Sequence, residues 1–379
     1  MPIFIPEHIR NLQPYKPGNK LKPKISETSN SISDFINLAS NENPMGASPL
    51  AIAALRDSVK SLSIYPDVGS SELVEFLSSH LKRKSNEIIC GHGSDSLIGD
   101  IINAFSDHHD EVLTSAGSFI GYYVSINKLG RKAVTVPLKD FAYDLEGIVK
   151  AITDNTRIIF LANPNNPTGT MFTNSEFEWF MENVPDNILV VLDEAYWVYA
   201  SLHDNYPDGL KYQFPNLITL RTFSKSHGLA GVRIGFCVGP EELISILYKV
   251  KLPFEPNSIA QKLAKAAYAD FDFIFQVLKL NTISLERLTN LLDSLNITYL
   301  PPKANYVMII FDQPTDSVRF TDFCYNNGIL VRQLSGFGID NGVRISTGSH
   351  TQMDFALEIF EKAFIELNLI PELIEENII

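Results

Sequence analysis

From about residue 48 the chain alternates two hydrophobic patterns. Short, continuous apolar or β-branched runs stand at 88-IIC-90, 112-VLTS-115, 133-AVTVPL-138, 157-RIIFLA-162, 188-ILVVLD-193, 217-LITLRTF-223 and 234-IGFCV-238. Between them lie longer stretches with apolar residues at helical spacing, which 49-PLAIAALRDSVKSL-62 and 70-SSELVEFLSSHLKR-83 introduce. Strands without apolar/polar alternation are buried on both faces, and helices between them supply the cover. The pattern predicts an α/β fold with a mainly parallel central sheet flanked by helices.

After about residue 270 the character changes. A long helix over 272–295, broken or not, leads to strands 306-YVMIIF-311, 329-ILVR-332 and 343-VRIS-346, and an amphipathic helix over 352–367 follows. That is a smaller α+β unit. Residues 1–36 are polar and proline-rich (14-PYKPGNKLKPK-24), an arm expected to pack on something rather than fold alone. The expected division is an N-terminal arm over 1–36, a large domain over 37–270 and a small C-terminal domain over 271–379.

Length and charge narrow the function. A chain of 379 residues is long enough for one large and one smaller domain. A net charge of −13 argues against a nucleic-acid surface. Three cysteines, Cys90, Cys237 and Cys324, lie far apart without metal-ligand spacing, which suits a reducing cytoplasm and no metal. The start, MPIFIPEHIR, has no signal-peptide pattern, and no apolar run reaches the roughly 18–20 residues that span a bilayer. No membrane is expected.

Ligands of parallel α/β sheets sit beyond the carboxyl ends of the strands. Four segments there make a chemically coherent set. In 91-GHGSDSLI-98, glycines open a helix whose N–H groups suit a phosphate, although many such turns bind nothing. In 162-ANPNNPTG-169, two prolines and a glycine fix a turn from which Asn166 offers a neutral donor. In 188-ILVVLDEAYW-197, Asp193 stands at the mouth of a buried strand, where a carboxylate needs a partner such as a pyridinium N–H. Taken alone, Asp193 also suits a helix cap. In 221-RTFSKSHGLAGVRIG-235, Lys225 is an amine for Schiff-base chemistry, with Ser224 and Arg233 to hold an anion beside it. Phosphate nest, neutral donor, ring-nitrogen acid and amine together describe pyridoxal phosphate chemistry.

With 37-NLASNENP-44, 65-YPDVG-69 and 343-VRISTG-348 added to these segments, nearly the whole chain resembles the fold-type I enzymes dependent on pyridoxal 5′-phosphate, in the class I/II aminotransferases. It resembles the histidinol-phosphate aminotransferases among them. The resemblance implies catalysis by Lys225, Asp193 and Tyr196, with the cofactor held by the N–H groups of Ser94 and Asp95, by Asn166, Ser224 and Arg233, and by an aromatic ring over its face. By position that ring is Phe119, with Tyr122 as the rival. The family more often has tyrosine after Pro-Thr here, and Phe119 follows Gly117-Ser118, so stacking is kept and a phenolic bond is lost. Tyr65 would reach the phosphate from the neighbouring subunit of a homodimer. Tyr15, Asn41, Arg332 and Arg344 would contact the substrate, the arginines at its anionic groups.

The implied reaction is transamination from L-histidinol phosphate to 2-oxoglutarate in histidine biosynthesis, giving imidazole acetol phosphate and L-glutamate. Alternatives on the same scaffold are an aromatic or broad-specificity aminotransferase, a decarboxylase of a phosphorylated amino acid, and a non-catalytic regulator that binds the cofactor.

Overall fold

The computed structural model describes residues 3–12 and 35–370. A short strand, β1 (Ile36–Asn37), precedes the main sheet. That sheet comprises β2 (Ile88–Gly91), β3 (Glu111–Ser115), β4 (Lys132–Val136), β5 (Thr156–Ala162), β6 (Leu189–Asp193), β7 (Leu217–Thr222) and β8 (Gly235–Val238). Its order is β2-β8-β7-β6-β5-β3-β4. Only β8 runs against its neighbours, so the sheet is mainly parallel, as the continuous apolar runs predict.

Burial on both faces explains those runs. Along β5, Ile158, Phe160 and Ala162 face one cluster with Leu97, Ile101 and Tyr122, while Ile159 and Leu161 face another with Phe177 and Phe180. Helices start where side chains satisfy their free N–H groups. Ser48 caps the helix Pro49–Ser58, with proline at its first position, and donates to Asp270 at 2.6 Å. Thr173 with Glu176, and Ser349 with Gln352, form reciprocal caps on Asn174–Asn183 and His350–Glu366.

The C-terminal part holds β9 (Tyr299–Leu300), β10 (Tyr306–Ile310), β11 (Ile329–Leu330), β12 (Arg332–Gln333) and β13 (Gly342–Ser346). Four of these form the sheet β12-β13-β10-β9, covered by Leu288, Leu292, Met353, Phe360 and Phe364 from two helices. The helix Phe271–Ser294 is continuous. The run expected as one strand at 329–332 is divided: β11 pairs with β1, and β12 pairs with β13. Residues 37–41, which the sequence pattern groups with the large domain, therefore lie against the C-terminal part. Leu38 is in its core, and the Asn41 N–H donates to Ser346 at 3.0 Å. From the arm, the His8 ring lies over Gly130 at the end of the helix Ile120–Lys128. Among the described residues, no helix is long and apolar enough to cross a membrane.

Candidate active site

The carboxyl ends of β5, β6 and β7 converge on a cleft of about 960 Å³, with an inner pocket of about 140 Å³ behind it. Asp95, Phe119, Asn166, Tyr196 and Lys225 border both.

Asp193 ends β6 and is 5% exposed. Its Oδ2 accepts from the Tyr122 hydroxyl at 2.8 Å and its Oδ1 from the Ala195 N–H at 3.1 Å. Burial pushes its pKa up to about 6, against those two bonds. Its neighbour Glu194 turns away into an ion cluster: Arg221 of β7 reaches Glu194 at 2.7 Å and Asp208 at 2.6 Å, with its guanidinium over the Trp197 ring. This cluster ties the ends of β6 and β7 together.

Lys225 lies three residues beyond β7. Its Nζ is 3.4 Å from the Ser40 carbonyl and 5.7 Å from the centroid of the Tyr196 ring. Tyr196 is fixed at its other end, where its hydroxyl accepts from Asn41 Nδ2 at 2.8 Å. Asn41 has a left-handed backbone (φ 54°) and is locked by Ser346, whose hydroxyl donates to its Oδ1 at 2.7 Å. Asn166 stands in the turn after β5, pinned by the paired bonds of Asn163 with Phe172. Its Oδ1 is taken by Arg344, so the donor Nδ2 is the end left for the cavity.

Side chains that could hold an anion gather at the start of the helix Gly93–Phe105. Arg233 bonds Asp95 Oδ2 at 2.9 Å and approaches Ser224 Oγ at 3.5 Å. A Cβ on Gly93 (φ 75°) would lie 2.5 Å from the Arg233 guanidinium, so only glycine lets the two approach. Ser94 borders the inner pocket beside them.

Phe119 lies on the pocket wall, while Tyr122 is fully buried behind it, stacked on Phe160 at 4.8 Å and edge-on to Phe119 at 5.4 Å. Of the two aromatic candidates, Phe119 borders the cavity. Arg344 is 5% exposed, donates to the Ala39 carbonyl at 2.6 Å and lies over Tyr306. Arg332 borders the outer cleft beside Phe337. Tyr65 lies outside both cavities, 79% exposed and stacked on Phe254 at 4.5 Å. Tyr15 lies outside the described residues.

Sequence reasoning missed the Tyr122–Asp193 bond and the roles of Ser40 and Tyr306. Tyr306 Oη donates to the Asn165 carbonyl at 2.6 Å, an alignment across chain-distant segments that no local pattern signals.

Residues 33–360 match the family described as aminotransferase class I and II. The chain belongs to that family. It is 40% identical to histidinol-phosphate aminotransferase 2 of Hydrogenovibrio crunogenus, over 90% of this chain and 91% of that protein. It is 36% identical to histidinol-phosphate aminotransferase 2 of Carboxydothermus hydrogenoformans, over 91% of this chain and 94% of that protein. Among solved structures it is similar to the histidinol-phosphate aminotransferase of Sinorhizobium meliloti in complex with pyridoxal-5′-phosphate. The TM-score is 0.83 at 28% identity, covering 88% of this chain and 92% of that one. The type I fold expected from the sequence is thus the fold of this aminotransferase.

Proposed function

We propose that this aminotransferase uses pyridoxal phosphate to pass the amino group of L-histidinol phosphate to 2-oxoglutarate. The observation that carries the reading is that Lys225 and Asp193, from the ends of adjacent strands β7 and β6, border one inner pocket beside the Gly93–Arg233 cradle. The relatives' names support histidinol phosphate as the amino donor.

The residues present fit the cofactor. The cradle offers a cation, a hydroxyl and helix N–H groups to a phosphate, and Asp193 is a buried acceptor with no cation bonded to it among the described residues. When bound, the cofactor supplies an aldehyde for amines and a ring that withdraws electrons from the substrate α-carbon. Ser94, Asp95, Ser224 and Arg233 would hold its phosphate. Asp193 would keep its ring nitrogen protonated, Asn166 and Tyr196 would bond its phenolic oxygen, and Phe119 would cover its face. Lys225 Nζ would take the proton from the substrate α-carbon and deliver it to the cofactor carbon that had carried the aldehyde. Asn41 would steady Tyr196, and Arg344 and Arg332 would bind the anionic ends of the substrate, with Tyr15 closing over it.

A second copy of the chain would bring Tyr65 to the phosphate. An exposed apolar surface around Tyr65 supports this, since Leu62, Ile64, Val68, Leu252 and Phe254 are all more than 40% exposed. Three buried free cysteines fit a reducing, cytoplasmic setting.

The test is a half-reaction. Protein loaded with pyridoxal phosphate is mixed separately with L-histidinol phosphate, L-phenylalanine, L-tyrosine and L-glutamate, and its absorbance is followed. Conversion by histidinol phosphate well ahead of both aromatic acids is expected. Conversion by the aromatic acids alone would make it an aromatic aminotransferase.

A further inference from the structure

We infer that Tyr122 is a positioning residue for this site: its hydroxyl fixes Asp193 toward a ring nitrogen while its ring braces Phe119 against the ring's face. The inference rests on the cofactor reading above and adds to it a residue that does not border the pocket. Tyr122 is 0% exposed, and its hydroxyl donates to Asp193 Oδ2 at 2.8 Å. Its ring is clamped by Phe160 at 4.8 Å on one side and meets Phe119 edge-on at 5.4 Å on the other. One rigid side chain therefore touches both residues proposed to contact the ring, at its edge and at its face. The hydroxyl absent at position 119 is present three residues on, aimed at Asp193.

The physical demand is specific. Asp193 is buried, and among the described residues its carboxylate accepts from two neutral donors, Tyr122 and the Ala195 N–H. A neutral donor holds the carboxylate without neutralising it, so its charge stays available to a pyridinium; a cation in the same place would compete. The other titratable groups around Asp193 are Asp95 and Glu194, whose charges oppose its ionisation, the tyrosines Tyr143 and Tyr306, and Tyr196, Lys225 and Arg233 along the inner pocket. Removing the Tyr122 hydroxyl withdraws one of two favourable bonds, so Asp193 keeps its proton to higher pH.

The test uses the full cofactor-free chain and 4′-deoxypyridoxine 5′-phosphate, which has the ring nitrogen and phosphate but no aldehyde. Affinity is measured by titration calorimetry at pH 6 and pH 8.5, with thermal melting to check the fold. Tyr122→Phe is expected to bind about ten-fold more weakly than wild type at pH 6 and within about two-fold at pH 8.5. Equal affinity at both pH values, or the same loss at both, would overturn the inference, the latter marking a merely structural role. Tyr122→3-fluorotyrosine, introduced at that site alone, preserves shape and strengthens the donor. It should move the pH midpoint of binding downward, and an unmoved midpoint would overturn the inference even if Tyr122→Phe does not fold. Wild type that fails to bind the probe at either pH would overturn the cofactor reading itself, and this inference with it.

Discussion

At the scale of single residues, the site is defined by groups held in states they would not choose in water. Asp193 has a pKa near 3.8 when exposed and about 6 in the fold, because burial penalises its charge more than its two hydrogen bonds relieve it. A raised carboxyl pKa means that between these values the native state binds more protons than the unfolded one. Stability contributed by the neutral form is therefore lost as pH rises through that window, and above about pH 6 the charged group costs roughly 3 kcal/mol in the cofactor-free protein. Asp193→Asn should accordingly melt higher than wild type at pH 7.5 without cofactor, and lose most of that advantage near pH 4.5. The same variant should bind pyridoxal phosphate more weakly, because the ring N–H no longer meets a charge. Lys225 makes the opposite case. Among the described residues its Nζ makes one long hydrogen bond, to the Ser40 carbonyl at 3.4 Å, and lies 5.7 Å from the Tyr196 ring centroid, so Lys225→Ala should leave thermal melting nearly unchanged. Transamination should fall by about three orders of magnitude or more, measured as steady-state turnover at saturating substrate.

Elements carry the geometry, and they were the most legible level of the sequence. The continuous apolar runs of β5, β6 and β7 disclosed a sheet covered on both faces, and the strand-end rule then located Asn166, Asp193 and Lys225 together. What the pattern could not disclose was pairing between distant segments. The split of 329–333 between two sheets depends on β1 arriving beside β11, and two residues of strand leave almost no periodicity to read. The Tyr122 hydroxyl bond was hidden for the same reason, since Tyr122 reads as one more apolar helix position facing Phe160. The Glu194–Arg221–Asp208 cluster was equally invisible, although it joins the two strands that end in Asp193 and approach Lys225. Arg221 is 2% exposed, so Arg221→Met would strand two carboxylates against an apolar side chain and should destabilise the protein by about 3–5 kcal/mol in chemical denaturation. Adding Glu194→Gln to that variant removes one stranded charge and should recover part of the loss.

For the whole molecule, the proposed assembly turns on where Tyr65 acts. Within one chain it borders neither cavity, and its ring lies on Phe254 in an exposed apolar surface. The segment around it is held rigidly rather than loosely: Lys251 Nζ donates to the Val68 carbonyl at 2.9 Å, and Asp67 accepts the Ser71 N–H at 2.5 Å. A fixed apolar surface of this kind, if closed by two-fold symmetry, would offer each copy's Tyr65 to its partner. The two chains would then share residues, and that has a consequence activity alone can read. In a Lys225→Ala chain the amine is gone but Tyr65 is intact, whereas a Tyr65→Ala chain keeps its amine and loses its gift to the neighbour. If Tyr65 acts across the interface, mixing the two variants after dissociation and reassociation builds mixed dimers in which one of the two sites is complete. With equal amounts and random pairing, about a quarter of all sites should be restored, measured as turnover at limiting pyridoxal phosphate. If Tyr65 instead served its own chain, every mixed dimer would contain one site lacking Lys225 and one lacking Tyr65, and mixing would restore nothing.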